Sequence, residues 1–143
     1  RHLAQAPGGL IAAGMQWEGD PGSPVPLVAI DRGSGLVTLD APAEELAGMA
    51  AYIGSVAFDR SGQVIAASCP RGGRVAFWRA DDGQFLRTVA TADACAVGPA
   101  EAPGHFIMAT GLGLVQHIDS LTGELVPVGE RAPVAYDNHL TML

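Results

Sequence analysis

One pattern is written into this chain three times: a short apolar strand, a turn, and a second strand that ends on small residues. It runs His2-Leu3-Ala4-Gln5, a Pro7-Gly8-Gly9 turn, then Leu10-Ile11-Ala12-Ala13-Gly14. It returns as Ser55-Val56-Ala57-Phe58, an Arg60-Ser61-Gly62 turn, then Val64-Ile65-Ala66-Ala67-Ser68. The third copy is Cys95-Ala96-Val97, a longer turn from Pro99 to Gly104, then Phe106-Ile107-Met108-Ala109-Thr110. A second hairpin follows each copy, turning at Gly33-Ser34-Gly35, at Asp81-Asp82-Gly83 and at Leu121-Thr122-Gly123. Glycine there meets the backbone demands of tight hairpin turns. A unit of four antiparallel strands recurring roughly every 40–50 residues has the period of a propeller blade.

The expected fold is therefore all-β and β-propeller-like, with about three four-stranded antiparallel blades plus the first strand of a fourth. Blade one is placed at about 1–40, blade two at about 53–90, blade three at about 94–128, and the start of the next blade at 136–143, all within one partial domain. The run Asn138-His139-Leu140-Thr141-Met142 reads as that next strand. One insertion breaks the pattern. Asp40 suits a helix cap, Pro42 a first helical turn, and Glu44 and Glu45 the positive end of the helix dipole. A short helix is expected near 41–51. Three blades do not close a ring, and closure is what protects strand edges. The chain also opens on Arg1-His2-Leu3, already strand-like, with no initiating Met and no export signal. The expectation is a fragment of a longer protein, forming homo-oligomers through its open blade edges.

Composition narrows the chemistry. A hydrophobic share of 48% is ample for a core, and no apolar run approaches the ~18 residues of a membrane span. A net charge of −7 repels a polyanion, so nucleic acid is not an expected partner. All eight basic residues are Arg, which removes Schiff-base and phosphate-loop lysines. Cys69 and Cys95 form no C-x-x-C pair; one disulfide, or two small, half-buried residues, are both open readings.

Three stretches resemble a bacterial family, the domain-of-unknown-function family numbered 1513. They are Tyr52-Ile53-Gly54-Ser55-Val56-Ala57-Phe58-Asp59, Pro70-Arg71-Gly72-Gly73-Arg74-Val75-Ala76-Phe77-Trp78, and Tyr136-Asp137-Asn138-His139-Leu140, where the family usually carries Trp at the position of Tyr136. The resemblance covers nearly the whole chain and corresponds to the C-terminal part of such a protein. It implies export by the twin-arginine route, a periplasmic address, and a loose link to iron uptake or haem handling through imelysin-type neighbours. It implies no activity.

A blade has two ends. One carries the tight turns already named. The other, which joins blades, carries Trp17, Glu18, Asp20, Tyr52, Cys69, Arg71, Arg74, Asp93, Cys95, Arg131, Tyr136, Asp137 and His139. Function tends to sit on loops held by a rigid scaffold, so the blade-joining face is the expected site. Tyr52, Arg71, Arg74, Arg131 and Tyr136 are the candidate ligand-binding residues, since arginines grip carboxylates and phosphates when they are not paired locally. The inner strands begin at His2, Ser55, Cys95 and His139. Asp93 and Asp137 lie two residues before Cys95 and His139, on the same side of their strands. His2, Asp93, Cys95, Asp137 and His139 could converge on the axis as transition-metal ligands, or form a hydrogen-bonded polar plug. His105, His117 and Trp78 read as residues of the blade bodies.

No G-x-S-x-G, H-E-x-x-H or G-x-x-x-x-G-K is present. No nucleophile–base set can be assembled, which favours binding over catalysis. The expected function is an exported binding or scaffold module that holds another periplasmic protein or a small ligand. The alternative is a metal-dependent enzyme with its active site in the axial channel.

Overall fold

The structure, a computed structural model, describes residues 2–140. Twelve strands form three antiparallel sheets, each built from four consecutive strands. Blade one contains β1 (His2–Gln5), β2 (Ile11–Gly14), β3 (Val28–Asp31) and β4 (Leu36–Leu39). Blade two contains β5 (Ser55–Phe58), β6 (Val64–Cys69), β7 (Arg74–Arg79) and β8 (Phe85–Ala90). Blade three contains β9 (Ala94–Pro99), β10 (His105–Thr110), β11 (Val115–Asp119) and β12 (Leu125–Pro127). The inner strand β5 neighbours both β1 and β9, so the blades stack side by side around one edge. The all-β, propeller-like reading is confirmed.

Blade two is the middle layer, and strand alternation explains how it serves two cores. Val56 and Phe58 point toward blade one, where they join Ala12, Val28, Ile30, Ile65 and Trp78. Ala57 lies on the other face, with Val64, Ala66, Val75 and Phe77, against Phe106, Met108 and Ile118 of blade three. Every residue of β6 is buried, as a strand covered on both faces must be. Phe77 meets Phe106 across the second core at 5.5 Å between ring centroids. Trp78 is fully buried in the first core, edge-on to Phe85 at 5.7 Å. Its indole N–H donates to the carbonyl of Asp40 at 2.8 Å.

The helix is shorter than the sequence suggests: α1 spans Ala43–Gly48. Asp40 does not cap it. Its carboxylate accepts from the Ala41 amide at 2.9 Å, and Pro42 takes the cap position without a side-chain hydrogen bond. The helix ends early because Ala50 and Ala51 adopt left-handed backbone angles, φ 52° and 60°. These two residues turn the chain toward β5.

The expected first strand of a fourth blade is not formed among residues 136–140, and Thr141, Met142 and Leu143 lie outside the described residues. The reason is topological: a first strand pairs with the second strand of its own blade, and the described residues hold no such partner. The segment after β12 instead runs back along blade three. The Ala132 amide donates to the Gly113 carbonyl at 2.8 Å, and the Arg131 guanidinium to the Leu112 carbonyl at 2.6 Å. Gly113 has φ +81°, and a Cβ there would collide with the Ala132 carbonyl and lie 2.6 Å from that of Val134. Gly113→Ala is expected to detach this segment while the three sheets stay intact. Hydrogen exchange would show lost protection at Ala132 with β9–β11 unchanged. No helix among the described residues is long and apolar enough to cross a membrane.

Candidate functional site

The three inner strands leave a groove on their common edge, of about 400 Å³. Its walls are β1, β5 and the far end of β9, and the segment 138–140 lies along it. Main-chain geometry and packing hold the walls together. The Ser68 hydroxyl donates to the Cys95 carbonyl, tying blade two to blade three at 2.5 Å. Gly54 packs so tightly that a Cβ would sit 2.7 Å from Pro70 Cγ and 3.1 Å from the Cys95 carbonyl oxygen.

The proposed inner-strand residues assemble as pairs. His2 and His139 bring their rings to 5.2 Å. His139 Nδ1 lies 3.8 Å from the Asp137 carboxylate, with both side chains mostly exposed. The Cys95 thiol points at the Asp93 carboxylate at 3.5 Å. Asp93 sits in a left-handed conformation, φ 53°, beside a register shift where β9 meets β10. That kink aims the Asp93 carboxylate over Gly111, where a Cβ would strike it. Ser55 lines the groove, whereas Cys95 and Asp93 are absent from its lining. Among the described residues, no three His, Cys, Asp or Glu side chains come together in a group able to hold a metal ion. The two imidazoles come together at the groove, and the thiol–carboxylate pair is not in its lining, although the Asp137 carboxylate beside His139 also acts on the Cys95 thiol.

The five candidate ligand-binding residues divide as clearly. Tyr52 is nearly buried, and the Arg71 guanidinium lies over its ring at 4.7 Å from the centroid. The Asn138 amide donates to the Tyr52 hydroxyl at 3.1 Å, which brings the end of the described chain to blade two. Arg74 is committed elsewhere. It forms an ion pair with Glu45 of α1 at 3.0 Å, and Thr88 donates to the same carboxylate at 2.9 Å. Arg131 is spent on the Leu112 carbonyl. The Tyr136 amide donates to the Thr110 carbonyl at 3.4 Å, placing the Tyr136 backbone against blade three. Arg71 has no acidic partner within ion-pair distance among the described residues.

The opposite face is less plain than its turns suggest. A groove of about 550 Å³ crosses it between Leu10, Leu86, Pro103 and Leu121. At its floor Asp59 is 2% exposed and accepts from the amides of Ser61, Gln63, Val64 and Gly104 and from the Ser61 hydroxyl. The signal was an Asp at a strand end before a Ser-Gly turn, a pattern that gathers amides locally. What the sequence did not reveal was the bond to Gly104, 45 residues away.

The cysteines are not bridged; both are free and buried. Burial pushes the Cys69 thiol up to about 12, and burial followed by the Asp93 carboxylate raises that of Cys95. Thiolate is the reactive form. Native protein at pH 8 is expected to leave Cys69 unmodified by a disulfide reagent and to react slowly at Cys95. Two thiols should titrate at once in denaturant. Rapid native labelling of Cys69 would contradict the buried geometry.

Comparison with known proteins adds a family and a fold. The sequence profile of a protein family of unknown function, DUF1513, matches residues 1–143. No curated protein sequence matches the chain. Among solved structures, it is similar to a chain of the mitotic checkpoint complex, at TM-score 0.68 and 14% identity over 94% of this chain and 37% of that one. It is similar to hydrazine synthase of Kuenenia stuttgartiensis, at TM-score 0.64 and 12% identity over 88% of this chain and 34% of that one. The computationally designed Ika4 protein matches at TM-score 0.63 and 15% identity, over 95% of this chain and 75% of that one. The chain thus spans about a third of the length of the first two. At these identities the likeness is one of propeller-like fold.

Proposed function

From a chain that belongs to the DUF1513 family, whose function is unknown, we propose a periplasmic binding or scaffold module that takes an anionic ligand, or an acidic segment of a protein partner, at Tyr52 and Arg71. The observation that carries this reading is the Arg71 guanidinium laid on the Tyr52 ring with no acid paired to it. Arg32, Arg60, Arg87 and Arg131 also have no acid at ion-pair distance among the described residues, and what sets Arg71 apart among them is its seat on the Tyr52 ring. Stacking on an aromatic face fixes the guanidinium plane and leaves its N–H edge to fork onto a carboxylate or phosphate. Tyr52 in turn is held by Asn138, whose neighbour His139 reaches the axial groove. The periplasmic address and the link to iron or haem handling belong to the proposal through the family resemblance.

The test is calorimetric titration with citrate and with inorganic phosphate as probes, alongside a pull-down from periplasmic extract with elemental analysis of what co-purifies. Arg71→Gln should weaken probe binding about tenfold or more, the scale of a lost charged hydrogen bond. Arg87→Gln, on the outer strand β8, should leave it unchanged. Binding that Arg71→Gln does not alter, or no binding of either anion, would sink the assignment.

A further inference from the structure

The tight-turn face carries the groove of about 550 Å³ that runs from Leu10 of blade one, past Leu86 of blade two, to Pro103 and Leu121 of blade three. Its walls are set by packing between blades two and three. The β11–β12 turn leans on blade two, where a Cβ at Gly123 would lie 2.8 Å from the Arg87 guanidinium and 3.6 Å from Val89. Leu121 of that turn, 66% exposed, shares the groove lining with Arg79, Asp81 and Leu86, and so stands over the seam between the two blades. Asp59 closes the floor of the same seam by holding the Gly104 amide at 2.9 Å.

The groove is apolar on its walls and one-sided in charge. The amides of Ser61, Gln63, Val64 and Gly104 are already held by the Asp59 carboxylate, and that of Gly62 by the Asp59 carbonyl. An anion would find these floor donors taken. The cation of the lining, Arg79, is also committed. Its guanidinium forks onto Asp82 and lies 3.4 Å from Asp81. Asp82 takes both hydrogen bonds, which leaves the charge of Asp81, a side chain 77% exposed, as the excess. With Asp59 in the floor, the groove and its rim hold three carboxylates and one guanidinium. The groove is also long. Packed sheets lie about 10 Å apart, so a path from blade one to blade three covers roughly 20 Å, about six extended residues.

We propose that this groove receives an extended segment of a partner protein, apolar and carrying a lysine or arginine, with the cation at Asp81 and the apolar side chains between Leu10, Leu86, Pro103 and Leu121. Charge complementarity selects the occupant: the walls reward apolar burial, and the one uncompensated charge is negative. This is a second site, on the face opposite Arg71 and of opposite charge preference, and it does not rest on the anion reading there.

The probe is an immobilised library of random nine-residue peptides with blocked ends, screened with the labelled chain and in parallel with its Leu121→Ser variant. Peptides that the parent binds and Leu121→Ser loses should be rich in Leu, Ile or Phe, carry Lys or Arg, and lack Asp and Glu. One such peptide, made with a fluorescent tag, is then titrated by anisotropy. Leu121→Ser and Asp81→Lys, both at exposed turn positions, should keep the native circular dichroism. Each should weaken binding by about tenfold or more, the scale of one leucine's lost burial or one reversed charge pair. The charge-swapped peptide, with Glu in place of its Lys or Arg, should bind Asp81→Lys more tightly than it binds the parent, which a misfolded variant could not do. Arg71→Gln should bind the original peptide as the parent does. A library with no peptide that depends on Leu121 would overturn the proposal. So would a preference for acidic peptides, an Asp81→Lys variant that treats both peptides as the parent does, or binding of leucinamide where no peptide binds, the mark of a small-ligand pocket.

Discussion

Trp78→Ala is expected to remove a large share of the stability of this protein, with the urea midpoint falling well below that of the parent. The indole is fully buried between blades one and two, edge-on to Phe85, and its N–H holds the Asp40 carbonyl that leads into α1. Truncating a buried Trp to Ala costs about 3–5 kcal/mol through lost burial and the cavity left behind. Total stabilities run at about 5–15 kcal/mol, so the loss is a large share of what there is. Trp78→Phe separates the two contributions. It keeps much of the apolar contact but leaves a carbonyl without its donor, at a cost of about 1–3 kcal/mol. Equilibrium denaturation followed by far-ultraviolet dichroism measures both. A midpoint for Trp78→Ala close to that of the parent would mean that the first core is held by something other than this side chain.

Asp59→Ala should come next in size, at roughly 2–4 kcal/mol, because it strands the buried amides of Val64 and Gly104 at once. Four amides and a hydroxyl converge on that carboxylate, and the Gly104 amide comes from blade three, so the bond network joins two blades. Burial alone would push this carboxyl up. The Ser61 hydroxyl and the Val64, Gly104 and Ser61 amides outweigh it, and the folded-state value falls below the ordinary range of an aspartate. The sign follows from linkage. A depressed carboxyl stabilises the fold above its unfolded value, and the contribution fades as pH falls below 3.8 through the folded value. The parent should therefore lose stability in that acid window, and Asp59→Ala should show a flatter profile there. Parallel profiles for the two proteins would show that Asp59 is not the group being titrated.

Much of the fold was legible because its signals are local. Apolar alternation and turn glycines marked the strands, and the recurrence marked the blades. The helix was overdrawn because Asp40 had a closer amide to satisfy, at Ala41, and because Ala50 and Ala51 take a backbone conformation that no composition rule favours for alanine. The candidate site was legible in part. His2 and His139 do meet, but not as matched strand starts, because the segment 138–140 lies along the groove without forming a strand. Their separation from Cys95 and Asp93 depends on a register shift in blade three, which the sequence does not announce. The pairing of Arg74 with Glu45, which separates its role from that of Arg71 on the Tyr52 ring, depends on how α1 lies against blade two. That is a long-range packing fact, as is the reach of Gly104 to Asp59.

Each sheet is made from consecutive strands, none borrowed from a distant part of the chain. The order of synthesis is therefore the order of assembly. Blade one has all its strands once Leu39 has left the ribosome, but its Ala12, Val28 and Ile30 face has no cover until blade two follows. Each nascent blade thus waits, sticky on one side, for the next to arrive, and translation pauses between blades are where a chaperone would have most to hold.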